Sequence, residues 1–292
     1  MGRQDLYNSA QARAQEILHE MSIQALPIDP FAIAQEHEIA VEAKPSSSSG
    51  VSGMLIRHGD VFGILYATHI TSEGFQRFSV GHELGHYFLD GHIDYVLPEG
   101  KTLHESRSGF VSKDNYELEA DHISASMLMP QGLFTKAMLS SKAGLQGIQN
   151  LADKCRTSLT ATAIRYCQCT NDPVAIVVTT GQAVDFCFMS DALFRLDKEF
   201  RPLPKGCSIP RSTETRQFNA DKNNILQGNK FESEVWFQDW FGGEIKRKVR
   251  EEIIGLGTYG KTLTVLSVPE AGDEDEEESE DEDPEEPWTP RF

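Results

Sequence analysis

The motif that most constrains this chain is His-Glu-x-x-His at residues 82–86. Residues four apart lie one turn above each other on the same face of an α-helix. The imidazoles of His82 and His86 can therefore reach one metal ion, and Glu83 can reach a water held by that ion. Zinc bound by two histidines and one carboxylate keeps a fourth position for water and lowers the pKa of that water towards neutrality. The motif thus indicates a hydrolytic zinc site in which Glu83 takes the proton from water.

The third metal ligand should come from further along the chain, and three residues compete for this position. Glu117 and Asp121 share one face of a predicted helix, so Glu117 can bind the metal while Asp121 accepts the spare N–H of a ligating histidine. Glu119 lies about 200° round that helix from Glu117 and is expected to point elsewhere. His92 has the spacing of H-E-x-x-H-x-x-G-x-x-H, but Leu89 stands where that pattern requires glycine. We favour Glu117 and leave Glu119 and His92 open.

Two runs together resemble the ImmA/IrrE metallopeptidases. The first is R-F-S-V-G-H-E-L-G-H, which ends at His86, and the second is E-x-E-A-D-x-x-x-A-x-x-L-M-P, which ends at Pro130. The resemblance covers approximately residues 10–170. Members of that family typically carry Asn where this chain has Asp121, and often His where it has Asp90. Neither difference removes a predicted ligand.

The resemblance implies zinc bound by His82, His86 and Glu117, with Glu83 as general base. It also implies a zinc endopeptidase that cleaves a regulatory protein at one site, such as a helix-turn-helix repressor, in phage or mobile-element control or in a stress response. The alternative is a metal-stabilised binding module without turnover, similar to an antirepressor or an antitoxin. The presence of Glu83 argues against that alternative, because a purely structural site needs no base. Whether manganese or iron replaces zinc stays open.

The expected fold class is α+β: an α-rich, zincin-like catalytic domain with a small β-sheet, then a smaller mixed α/β domain and a disordered acidic tail. The predicted boundaries are 1–171, 172–268 and 269–292. Within the first domain, residues 132–168 resemble a helix-turn-helix. Only Arg165 in its second helix could bind DNA, so a helix pair used for packing or for contacting the substrate is favoured.

The surroundings of the motif helix suggest how a substrate could bind. Strands near residues 52–57 and 61–67, joined by a turn, are predicted beside this helix, and a sheet edge there could hold an extended peptide segment. Residues 91–115 are predicted to be a loop that forms the rim of a cleft. His104 or Tyr95 in this loop could stabilise an oxyanion, although an ordinary surface role is favoured.

Composition argues against several other classes of protein. No stretch of 18 apolar residues is present, and residues 1–5 lack the features of a signal peptide. The five cysteines form no C-x-x-C pair and are expected to be free thiols in a reducing cytoplasm. Residues 270–292 contain 13 acidic residues and one arginine, so they carry −12 of the net charge of −18 and leave −6 for the rest. This balance argues against direct nucleic-acid binding.

Overall fold

The computed structural model describes residues 3–44, 50–107, 114–196, 202–243 and 245–269. The fold is α+β with two separate β-sheets, which confirms the expected class. Beyond its first residue, the acidic tail predicted over residues 269–292 lies outside the described part. No helix in the described ranges is long and apolar enough to cross a membrane.

Helices and strands alternate irregularly along the chain. The helices are α1 (Arg3–Glu20), α2 (Pro30–Glu36), α3 (Glu73–Phe88), α4 (His92–Val96), α5 (Asn115–Leu128), α6 (Gln131–Leu139), α7 (Gly144–Cys155), α8 (Leu159–Cys169), α9 (Asp191–Leu196), α10 (Glu214–Phe218), α11 (Lys222–Leu226) and α12 (Phe237–Phe241). The strands are β1 (Ala40–Lys44), β2 (Gly53–His58), β3 (Val61–Ala67), β4 (Leu103–Ser106), β5 (Val174–Thr180), β6 (Ala183–Met189), β7 (Lys230–Trp236), β8 (Lys248–Gly255) and β9 (Lys261–Ser267).

The first sheet has the strand order β1-β3-β2-β4. β1 runs parallel to β3, whereas the pairs β2–β3 and β2–β4 are antiparallel. The predicted hairpin is confirmed, and Gly59 in its turn has φ +64°, a conformation that favours glycine. The prediction of a continuous loop over residues 91–115 is wrong, because α4 and β4 lie within it. Both are too short to show a periodic pattern, and β4 is held by its hydrogen bonds to β2.

The motif helix α3 lies between this sheet and α5. Its first turn is capped by Ser72, whose hydroxyl accepts a hydrogen bond from the backbone N–H of Phe75. Val80, Leu84 and Phe88 project from α3 into a buried apolar cluster that also contains residues of the sheet, α1 and α5. The histidine motif is therefore fixed inside the core and not on a solvated turn.

Glycines on α3 allow α5 to approach unusually closely. A Cβ atom added at Gly85 would lie 2.4 Å from Cγ2 of Ile123 and 3.1 Å from Cα of Ala120. One added at Gly81 would lie 2.6 Å from Oγ of Ser124. That hydroxyl donates a hydrogen bond of 2.9 Å to the backbone carbonyl of Phe78, which ties the two helices together. The short distance between the helices brings the acids of α5 within reach of the histidines.

The second sheet is antiparallel throughout, with the order β6-β5-β9-β8-β7. Alternate residues of β5 point to its two faces. Val174, Ile176 and Val178 pack with α6, α7 and α8 in one apolar cluster, while Ala175 and Val177 belong to another cluster on the opposite face. The domain boundaries at residues 171 and 268 stay a prediction, because helices before the first boundary share their core with strands after it.

In the helix pair α7–α8, the one basic residue of the second helix is directed into the protein. Arg165, the one basic residue of α8, is buried and donates hydrogen bonds to the backbone carbonyl of Met129 at 3.0 Å and to the hydroxyl of Tyr7. Its guanidinium is thus used inside the protein. The role of the helix pair in packing or in contacting the substrate stays a prediction.

The close packing of α3 on α5 yields a stability prediction. We expect Gly85→Ala to lower the free energy of unfolding by about 1–3 kcal/mol, because the added methyl group overpacks the interface with Ile123. Gly132→Ala in α6 is the matched control, since a Cβ there meets nothing within 4 Å. The control should be neutral or stabilising by up to about 1 kcal/mol. Urea denaturation followed by circular dichroism measures both, and equal effects would contradict the packing argument.

Candidate metal centre

Three side chains from α3 and α5 converge at one point. Nε2 of His82 lies 3.2 Å from Nε2 of His86, and the two nitrogens lie 3.3 Å and 3.4 Å from the carboxylate oxygens of Glu117. The ligand atoms all lie within 4.8 Å of one another. Among the described residues these three form a group that could hold a metal ion.

The Glu83 carboxylate supports the fit of a metal and its associated water to this group. Glu83 is fully buried, and within the described chain neither of its carboxylate oxygens makes a hydrogen bond of good geometry. Burial raises the pKa of Glu83 to about 7, although the neighbouring His82 and the hydroxyl of Ser106 oppose the shift. A buried carboxylate with such weak pairing is costly, so its position beside two histidines calls for a polar occupant of the site.

Asp121 lies where the sequence predicted it, behind a histidine. Its Oδ1 is 2.9 Å from Nδ1 of His82, and both side chains are buried. A proton on Nδ1 donated to Asp121 leaves Nε2 of His82 free to bind a metal. Burial alone would lower the pKa of His82, but hydrogen bonds with Asp121 and Glu117 raise it to about 10.

Glu117 is held as a carboxylate by several neighbours. Burial would raise its pKa, but the neighbouring imidazoles of His104, His82 and His86 hold it well below the usual range. Sequence reasoning missed the first of these contacts: Nε2 of His104 lies 3.0 Å from Oε1 of Glu117. The pairing of β4 with β2 brings His104 to the site. No pattern in the sequence reveals this long-range pairing.

Tyr95, the other candidate from the predicted loop, has different neighbours. Its hydroxyl donates a hydrogen bond of 2.9 Å to Asp114, and its ring stacks on Tyr116 at 3.9 Å. The side chain is half exposed. These contacts place Tyr95 at the start of α5, and its suggested oxyanion role stays a prediction.

His92 and Glu119, the rival candidates for the third ligand, contact each other, and neither belongs to the converging group. Nδ1 of His92 lies 3.1 Å from Nδ1 of His86, and its Nε2 lies 3.3 Å from Oε2 of Glu119. Burial lowers the pKa of His92 to about 3, so the ring is neutral. The spacing of His92 from the motif correctly indicated proximity to the histidines. The choice of Glu117 over His92 as the third ligand stays a prediction.

Gly53 forms part of the wall beside Glu83. A Cβ atom added at Gly53 would lie 2.4 Å from Oε1 of Glu83. The backbone of β2 therefore approaches the carboxylate as closely as a residue without a side chain allows. Sequence reasoning placed this strand beside the helix, but it could not identify this glycine.

Comparison with known proteins agrees with this geometry. A family model described as the IrrE N-terminal-like domain, Peptidase_M78, matches residues 34–166. Residues 34–166 are an IrrE N-terminal-like domain. This range includes the histidine motif on α3 and the acidic residues of α5. The match confirms the resemblance found in the sequence. No curated protein sequence matches the chain.

The fold of the IrrE N-terminal-like domain and the sheet that follows it also occurs in a solved structure. A protein described as a Mycobacterium tuberculosis transcriptional regulator is similar over 90% of this chain and 87% of its own, with a TM-score of 0.53. The sequence identity is 14%, so the likeness concerns the fold alone.

The converging group yields a metal-binding prediction. We expect Glu117→Ala to weaken zinc binding more than about 100-fold, since removal of partners outside the ligand set already costs about 10–100-fold. Glu105→Ala is the matched control, because Glu105 is an exposed glutamate on β4. Zinc content by mass spectrometry and chelator competition measure the effect. Retention of zinc by the Glu117 variant would contradict the assignment.

Proposed function

We propose that this protein is a zinc-dependent endopeptidase that cleaves a regulatory protein at one site. Zinc would be held by His82, His86 and Glu117, and Glu83 would be the catalytic base. The observation that carries the proposal is the buried Glu83 carboxylate, which makes no hydrogen bond of good geometry and lies beside three converging ligand atoms. Three protein ligands from two histidines and a carboxylate are the usual set of a catalytic zinc site, whereas structural sites use four.

The role of the metal would be electrostatic. When bound, zinc polarises the substrate carbonyl and makes a nearby water more acidic. The chain's own residues then carry the proton. Glu83 takes it as the water attacks the carbonyl carbon, and gives it to the amine nitrogen as the C–N bond breaks, which restores the carboxylate. Asp121, whose Oδ1 lies 2.9 Å from Nδ1 of His82, would keep the His82 proton on Nδ1 and so leave Nε2 available to the metal.

The substrate that fits the proposal is a helix-turn-helix transcriptional repressor with one accessible loop. This part of the proposal rests on the resemblance to the ImmA/IrrE family and on the IrrE N-terminal-like domain. The setting would be the cytoplasm, in keeping with five cysteines that form no disulfide among the described residues. We further propose that residues 172–268 contribute to recruitment of the substrate or to control of activity.

Glu83→Gln tests the catalytic step directly. We expect this variant to keep its zinc and to lose about 10²–10⁴-fold in cleavage rate, because the amide cannot accept the proton. The assay incubates the zinc-loaded protein with a library of unmodified peptides and with a purified helix-turn-helix repressor. Mass spectrometry then detects new termini. A Glu83→Gln variant that cuts normally would refute the role of Glu83, and a zinc-loaded wild type that cuts nothing would favour the binding-module alternative.

Gly53→Ala tests the position of the Glu83 carboxylate. We expect unchanged zinc content and a cleavage rate reduced at least about tenfold, because the new methyl group occupies the place of Oε1 and the flexible carboxylate moves away. Gly63→Ala on the adjacent strand is the matched control, since its Cβ would make only an ordinary contact of 3.6 Å with the carbonyl of Ala40. Equal rates for the two variants in the peptide assay would count against this positioning.

A further inference from the structure

We propose that His92 and Glu119 form a positioning pair that fixes the tautomer and the ring orientation of His86. The inference rests on the proposed function, because it treats His86 as a metal ligand. It assigns a role to two residues that neither bind the metal nor touch the substrate.

The hydrogen-bond geometry determines where the protons lie. Nε2 of His86 faces His82 and Glu117, so Nε2 is the atom that binds a metal, and the proton must be on Nδ1. Nδ1 of His86 then donates to Nδ1 of His92, 3.1 Å away. Because Nδ1 of His92 accepts, its proton is on Nε2, which donates to Oε2 of Glu119 at 3.3 Å. One arrangement of protons satisfies all three side chains, and it leaves Nε2 of His86 available for the metal.

The fold holds the His92 ring in this place. His92 is 1% exposed, and its ring meets the ring of Tyr116 edge-on, with 4.9 Å between the ring centroids. Helix α3 ends just before Leu89, and Gly91 takes a left-handed conformation with φ +75° before α4 begins at His92. This turn brings His92 back beside His86, six residues earlier in the chain. An imidazole so enclosed has little freedom to change partners.

Three acidic residues of α5 act on the two ligating histidines. Glu117 faces both Nε2 atoms, Asp121 contacts Nδ1 of His82, and Glu119 contacts His92, which in turn contacts His86. Glu119 lies about 200° round the helix from Glu117. A carboxylate on that side needs an intermediate group to act on the ligand, and the His92 imidazole is that group. Each ligating histidine thus has a buried acceptor for its second nitrogen, as ligating histidines generally do.

The first experiment measures the dissociation constant of Zn²⁺ for the full chain by competition with a chromophoric chelator. His92→Leu fills the space but removes the acceptor, and we expect binding about 10–100-fold weaker. His92→Asn places an amide oxygen near the position of Nδ1 and should recover part of the loss. Pure packing would give the opposite order, with Leu better than Asn. The control is His122→Leu on α5, a half-buried histidine that contacts Tyr7 edge-on, which should bind zinc as the wild type does.

A double-mutant comparison tests whether Glu119 acts through His92. Glu119→Ala should weaken zinc binding in the wild-type background and cause no further loss in the His92→Leu background, because residues in one hydrogen-bond chain are not additive. The visible spectrum of the Co²⁺-loaded protein gives a second readout, since reorientation of His86 changes the ligand field. We expect a changed spectrum for His92→Leu and an unchanged one for His122→Leu.

Three outcomes would overturn the inference, and they are distinguishable. If the variants at His92 and Glu119 bind zinc as the wild type does, the positioning role fails while the proposed function stands. If His92→Leu empties the site as completely as Glu117→Ala, His92 is itself a ligand. If the wild type binds no zinc, the proposed function fails and the inference fails with it.

Discussion

The contact between α3 and α5 is the interaction on which the rest of the site depends. One helix carries both histidines and the other carries the acids, and neither could form the group alone. Gly81 and Gly85 remove side chains from the contact line, and Ser124 adds a hydrogen bond across it. Apolar residues on the remaining surface of α3 bury the helix against the first sheet. Close packing thus places the acids of α5 beside the histidines with little room for adjustment.

This packing creates an electrostatic problem. His82, Glu83, His86 and Asp121 are all buried to 1% exposure or less, and buried ionisable groups are unfavourable unless they are paired. Asp121 and Glu117 meet this requirement for His82, and His92 does so for His86. Among these four groups Glu83 is the exception, since neither of its oxygens makes a hydrogen bond of good geometry. A site that pairs its ligands well and one carboxylate poorly is suited to chemistry that moves a proton.

Local patterns predicted much of this from the sequence. The i, i+4 histidines, the Glu117–Asp121 spacing and the hairpin all depend on periodicity within one element, and the structure places each of them as expected.

The missed features depend on contacts between distant segments. His104 comes to Glu117 through the pairing of β4 with β2, and Gly53 meets Glu83 where a strand crosses a helix. Glu119 was expected to point away from the group of His82, His86 and Glu117, and it does. Its contact with His92 could not be foreseen, because it depends on the turn at Gly91. Neither kind of contact leaves a periodic signal in the sequence.

The core shared by α6–α8 and the second sheet extends beyond the segment that matches the family model. The family match ends at residue 166, inside α8, yet the apolar cluster that includes this helix also contains residues of β5 and β9. A fragment that ended at residue 166 would lack Ile176 and Val265, and the apolar residues of α6–α8 in the same cluster would be exposed to water. The segment that matches the family model is therefore smaller than the segment that buries a complete core.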